Sequence, residues 1–460
     1  MDFFLFGQGI YSEISQGDLA AAKDFLNRIA RLNSVRTLDR SLYHYMAALV
    51  AWYQGDFTLS IEHGNQAVSF SEDTACPFTV ALCRIERGVT LFDMKRYKEA
   101  EQDLAIALSL MRGLTHVEFL CHVFKAWFAL EQGDEAQGVS ELRLAFAIGA
   151  RHNYVNFSRW RPEMMSLFCA KALEQGIETE YVLGLIRRRN LTPPANTRSS
   201  ESWPYPIKIY TLGGFRIIKD GKPIEFSGKV QQKPLELLKA LITLGGANVN
   251  FEQLADVLWP DADGDLAYQS FEAALHRLRK LIGNDKTIQR QGGAIAINRR
   301  YCWVDIWAFG KLHEEMEAFM KRCEGKEGVS SDGNDIKLAS SLARKVFELY
   351  KGRYLAGDSE KAWLIAYRER LKNRFVHMAS KAGNYLERGE EFDKAIDCYR
   401  GILDTDPALE EFYQRIMVCC RSAGNPALGI SFYKQCRRIL FSSLGDVPSP
   451  KTEEIYKTLL

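Results

Sequence analysis

Gln-Gly-Asp occurs three times in the first third of the chain, at 16–18, 54–56 and 132–134, each copy standing between two apolar runs at helical spacing. Lys95-Arg96-Tyr97 fills the corresponding place between the second and third copies, so successive turns lie 38, 41 and 37 residues apart. In the first helix of the second unit, Leu42, Tyr45, Met46, Leu49, Val50 and Tyr53 fall at i, i+3, i+4, i+7, i+8 and i+11. That apolar stripe is too wide for a lone helix pair to hide. Such a pair buries its face only against the next pair, so the period dictates a stack.

Stacked helix hairpins of about 34–40 residues are the signature of tetratricopeptide-like solenoids, whose concave face usually takes a peptide, a protein or a small effector. The last part of the chain repeats the design. Glu390-Glu391-Phe392-Asp393-Lys394-Ala395 and Gly424-Asn425-Pro426-Ala427 stand at equivalent turns 34 residues apart. Phe392, Ala395, Ile396 and Tyr399 form one stripe, and Asp406-Pro407 ends that helix.

Between the two repeat regions the pattern changes. Residues 207–213 and 215–226 read as short strands, with Asp220-Gly221 supplying turn chemistry. Three helices are expected next, at Pro234–Leu244, Phe251–Trp259 and Leu266–Ile282, followed by a hairpin over Thr287–Asn298 hinged on Gly292-Gly293. That order is a winged helix. On the third helix, Phe271, Ala274, Leu275, Leu278 and Leu281 make the core stripe, and Gln269, Ala273, His276 and Lys280 lie on the opposite side. Glu272, Arg277 and Arg279 flank that outer row, while Ser270 and Ala273 are small enough to let a groove approach closely. A helix about 10–12 Å across fits the B-DNA major groove; Arg and Lys pair with phosphates or guanine, and Gln with adenine. The candidate DNA-contacting residues are therefore Gln269, Ser270, Ala273, His276, Arg277, Arg279 and Lys280, with Lys286, Arg290 and Arg299 from the hairpin region.

The runs LGGFRIIKDGKPI, LWPDADGD and FEAALHRLRKLIG resemble the winged helix of the SARP (antibiotic-regulatory-protein) family of bacterial transcription regulators, and Val304–Phe309 resembles the junction to that family's activator domain. The resemblance runs from Ile207 to the C terminus. It implies binding to double-stranded promoter DNA and help in recruiting RNA polymerase, with the recognition helix at Leu266–Ile282 and the wing at Thr287–Asn298. The N-terminal repeats resemble the sensor repeats of STAND-class regulators, in which an NTPase module normally precedes them. GxxxxGK[ST] occurs nowhere, and neither Gly221-Lys222 nor Gly228-Lys229 has the upstream glycine, so ATP-driven switching is not carried over.

Composition is that of ordinary globular protein, 47% apolar and 26% charged, and a net charge of +2 gives no global attraction to nucleic acid. Charge placement matters more. Arg277, Arg279, Lys280, Lys286 and Arg290 face a single acid, Asp285, whereas Asp256, Asp261, Asp263 and Asp265 gather just before the third helix. Those aspartates suit capping of that helix better than a calcium loop, because Leu266 stands where such a loop needs glycine. His313-Glu314-Glu315 has no second histidine for a zinc site, and no nucleophile elbow is present. No metal, cofactor or enzymatic activity is expected. The ten cysteines include no CxxC pair and read as buried thiols. The opening MDFFLFGQGIYSEI is too short and too poor in basic residues for a leader, and no membrane span is expected.

The expected architecture is mainly α: a TPR-like sensor or partner solenoid at 1–195, a winged helix-turn-helix at 205–306 and a TPR-like bacterial transcriptional activator domain at 307–460. Residues 192–206 read as an extended linker and 325–335 as a polar loop. The expected function is a cytoplasmic, sequence-specific regulator controlled by an effector or protein at the repeats, with homodimerisation through the last domain. The competing reading is an interaction scaffold whose winged helix docks a protein.

Overall fold

A computed structural model describes the chain apart from Met1, Asn33, Asp285, Glu360 and residues 195–199, 227–231 and 324–332. Gly228-Lys229, Asp285 and most of the 325–335 stretch thus lie outside the described residues. The protein is mainly α and divides into two compact units, Met1–Thr197 and Arg198–Leu460.

The first unit is a run of helix pairs: α1 (Asp2–Gln16) with α2 (Leu19–Arg31), α3 (Thr37–Tyr53) with α4 (Phe57–Glu72), α5 (Pro77–Asp93) with α6 (Tyr97–Leu110), α7 (Thr115–Glu131) with α8 (Glu135–His152), and α9 (Pro162–Glu174) with α10 (Thr179–Arg188). Each Gln-Gly-Asp ends one helix and starts the next. Gly55 holds φ at +81°, a left-handed conformation that glycine adopts without strain. Asp56 then accepts from the Leu59 amide at 2.9 Å, as Asp18 does from Ala21 and Asp134 from Gln137. The third turn lacks both devices: Lys95 takes φ +62° as a non-glycine, and Arg96 makes no side-chain cap. Small residues line the packed faces, with Ala81, Ala100, Ala107 and Ala126 fully buried, and this lets neighbouring helices approach.

The second unit begins with β1 (Ile207–Tyr210), β2 (Arg216–Lys219) and β3 (Lys222–Pro223), then α11 (Gln232–Thr243), β4 (Val249–Asn250), α12 (Phe251–Leu258), α13 (Gly264–Ile282), β5 (Ile288–Gln291), β6 (Ala294–Ile297) and β7 (Cys302–Val304). Residues 215–226 are not one strand. Asp220 and Gly221, at φ +47° and +80°, form a two-residue turn joining β2 to β3, with Lys219 opposite Lys222. One sheet has the order β3-β2-β1-β7, with β7 parallel to β1, and the other β4-β6-β5. The described end of the linker is packed, since Trp203 and Tyr205 are buried.

Asp305, at the start of α14 (Asp305–Cys323), joins the first sheet to the helices that follow. Its buried carboxylate accepts from the Thr211 hydroxyl and from the amides of Thr211, Leu212 and Ile306 at 2.5–2.8 Å. The remaining helices are α15 (Gly333–Leu349), α16 (Ala362–Arg388), α17 (Phe392–Thr405), α18 (Glu410–Ser422), α19 (Pro426–Leu444) and α20 (Pro450–Lys457). The hairpins α16–α17 and α18–α19 turn at the two positions spaced by 34 residues, and Asn425 caps α19 through the Leu428 amide. One core runs from Ile207 and Ile209 through Leu238 and Phe271 to Phe309, Tyr354 and Tyr399. Polar ties reinforce the seam: Lys239 to Asp358 at 2.6 Å, Thr243 to Tyr354 at 2.7 Å and Lys361 to Glu236 at 2.8 Å.

Candidate nucleic-acid interface

The winged helix projects one face of α13. Phe271, Ala274, Leu275, Leu278 and Ile282 are buried against α11, α12 and the β4-β6-β5 sheet, and this fixes the rotation of the helix. The opposite row, Gln269, Ala273, His276 and Lys280, is exposed together with Arg277, and Ser270 is half-buried beside it. Leu281, assigned to the core stripe from its spacing, is only half-buried, and Ile282 takes the fully buried place. The helix runs one turn's fraction further back than expected, to Gly264. Its aspartates do not cap it with their side chains: Asp263 at the N-cap position accepts no such bond, so Asp265 in the first turn acts through the helix dipole alone.

The expected hairpin forms, with Gly292 at φ +56° and Gly293 at φ +86° turning β5 into β6 and Arg290 paired with Ile295. Both φ values are positive, which is the two-residue turn that matches strand twist. Four of the candidate cations are engaged within the protein. Arg279 donates to the Ile288 carbonyl at 3.3 Å, and its Nε is buried with no partner among the described residues, so it ties α13 to the wing. Arg290 reaches back from the wing to Glu272 at 2.6 Å and the Tyr268 hydroxyl at 3.2 Å. The Arg299 guanidinium lies 4.6 Å from the Trp307 ring, and the Lys286 ammonium 5.9 Å from that of Tyr301. The exposed cations left on α13 itself are Arg277 and Lys280.

Tyr268 and Glu272 were not among the candidates, although their i, i+4 spacing places them on one edge of α13, facing the wing. Among the described residues no group of three or more His, Cys, Asp or Glu could hold a metal, and no helix is long and apolar enough to cross a membrane.

Residues 316–460, from within α14 onward, match the bacterial transcriptional activator domain. Regulatory protein AfsR of Streptomyces griseus is 24% identical over 277 residues, which is 58% of this chain and 26% of that protein. The AfsR of Streptomyces coelicolor is 24% identical over 260 residues, 55% of this chain and 24% of its own length. The chain thus spans about a quarter of the length of these curated relatives. Among solved structures, Mycobacterium tuberculosis EmbR in complex with a low-affinity phosphopeptide is 15% identical, covering 55% of this chain and 65% of that one at a TM-score of 0.41. The apo form of RapI is 11% identical, covering 85% and 100% at a TM-score of 0.31. By its activator domain and its two AfsR relatives, the chain resembles the SARP type of transcriptional regulator.

Proposed function

We propose that the protein binds promoter DNA through α13 and its wing and regulates transcription under the control of a signal at the N-terminal solenoid. The observation that carries this is the outer face of α13. A row of Gln269, Ala273, His276 and Lys280 with Arg277 alongside stands free on a helix whose other face is locked into a core. Arg277 and Lys280 anchor phosphates, and Gln269, Ser270 and His276 meet base edges. Arg279, Arg290 and Arg299 hold the wing and the junction in place, and Arg290 and Lys286 reach phosphates at the rim. The activator domain contacts RNA polymerase and supports a homodimer, and the protein works in the cytoplasm beside the chromosome.

The test is binding of the purified chain to a labelled duplex as salt is varied. Neutralising phosphates releases counterions, so log affinity falls linearly with log salt, by about 0.9 per phosphate contacted. A slope of several units that shrinks in Lys280→Ala supports the reading. Affinity that is absent, or indifferent to salt, favours a scaffold whose winged helix docks protein.

A further inference from the structure

Within the first unit, the segment between α8 and α9 does not leave the stack but lies across its row of first helices. Phe157 packs edge-on against Phe119 and Phe124 of α7. Ser158 and Arg159 both bond the Glu86 carboxylate of α5, and Arg159 also donates to Thr90 at 2.9 Å. Arg159 stacks 4.7 Å from the Trp52 ring of α3. Arg161 follows, bound to Asp93 at 2.6 Å and lying over Trp52 and Trp127 at 4.5 and 5.6 Å. Asp93 in turn accepts from the Trp52 indole at 2.7 Å. Eight residues, 154–161, thus occupy the face that a solenoid of this kind ordinarily offers to a ligand.

The occupant defines the chemistry of the place. Glu86 is 3% exposed and Asp93 is half-buried, and the arginines that neutralise them come from this segment. A ligand lacking cations would leave the Glu86 carboxylate buried without a counter-charge, a costly arrangement, and the half-buried Asp93 with only the Trp52 indole as donor. The wall of Trp52 and Trp127 adds a preference for planar guanidinium over ammonium. The fit in cis is also imperfect. Arg159 sits at φ +59°, a region unfavourable to any residue with a Cβ other than Asn or Asp. Its Nη1 and the Trp127 indole N–H are buried with no acceptor among the described residues, although a peptide carbonyl would serve either.

We infer that the solenoid groove over α3, α5 and α7 binds an extended peptide carrying an aromatic residue and two arginines, in the place held by residues 154–161. The segment is a tethered competitor that a trans peptide of the same chemistry displaces. Tethering gives it a high effective concentration, so the free ligand must fit better to win. This rests on reading the solenoid as the sensing part, but its test contains no DNA and its failure leaves DNA binding untouched.

The probe is a fluorescein-labelled peptide with the sequence of residues 153–162, titrated into the full chain by anisotropy. Arg161→Ala loosens the segment at its less buried anchor, and Arg159→Ala loosens it at its buried one. Saturable binding to Arg161→Ala at least tenfold tighter than to wild type is expected. It should vanish with a peptide whose arginines are norleucine and fall at least tenfold when Asp93→Asn is added. Should Arg159→Ala fold poorly, the same peptide should raise its melting temperature dose-dependently. Absence of saturable binding to Arg161→Ala overturns the proposal, as does equal binding by wild type, which would put the peptide elsewhere. Self-association of Arg161→Ala stronger than that of the wild-type chain in sedimentation would also overturn it, because the occupant would then be a second copy's segment.

Discussion

At the scale of single residues, the proposed function has the face of α13 separate anchoring from reading. Lys280 and Arg277 are exposed; as phosphate anchors they would carry no sequence preference, so Lys280→Ala should weaken binding to every duplex and reduce the salt slope by about one unit. Gln269→Ala should instead cost about 1–3 kcal/mol at one base pair and little elsewhere, read by competition between duplexes differing at that pair. Unchanged preference in Gln269→Ala would put the reading face elsewhere on the helix. Asp305 has a structural task. Burial pushes its pKa above the usual carboxylate value while the Thr211, Leu212 and Ile306 bonds pull it down. Asp305→Ala leaves the buried Thr211 and Leu212 amides without their acceptor, a loss of about 2–6 kcal/mol at about 1–3 for each, to be measured by urea unfolding.

His44 provides a pH test of the solenoid. Its Nδ1 is 2.9 Å from that of His63, in a setting shared with Tyr43, Arg40 and Phe70. Burial, with the charges of His63 and Arg40, pushes its pKa down to about 4. The unfolded chain therefore takes up the proton first. The stability His44 supports is complete above the ordinary histidine pKa and is lost as pH falls from there toward 4. Urea midpoints of the first unit should fall across that window, and less steeply in His44→Gln; identical profiles would contradict the assignment.

At the scale of elements, the wing depends on its two-glycine turn. Gly292→Val at φ +56° should cost about 1–2 kcal/mol and weaken DNA binding, whereas Gly292→Asn, which tolerates that conformation, should bind nearly as wild type. The helices and this hairpin were legible in the sequence because each carries a local signal: a period, an aspartate cap, a pair of glycines. What was illegible lacked one. β7 is three residues with every side chain buried, so no alternation marks it, and its partner β1 is nearly a hundred residues away in the chain. Asp220-Gly221 announced a turn but not which strands it joins. The engagement of Arg279 with the wing and of Arg299 with Trp307 depends on tertiary placement, and spacing alone had counted both among the outward cations.

At the scale of the molecule, the winged helix and the activator helices share a core and a seam of ion pairs. The activator domain and the AfsR relatives support a transcriptional regulator of the SARP type, and the central proposal is that α13 contacts DNA. The most direct measurement is a selection of genomic fragments bound by the purified chain at about 150 mM salt, where non-specific attraction is weakened, repeated with an Arg277→Ala/Lys280→Ala protein. The account predicts a recurrent motif in the first selection and its loss in the second. A motif recovered equally well by both proteins would contradict α13 as the DNA-contacting helix, and no enrichment from the wild-type chain would contradict DNA binding itself.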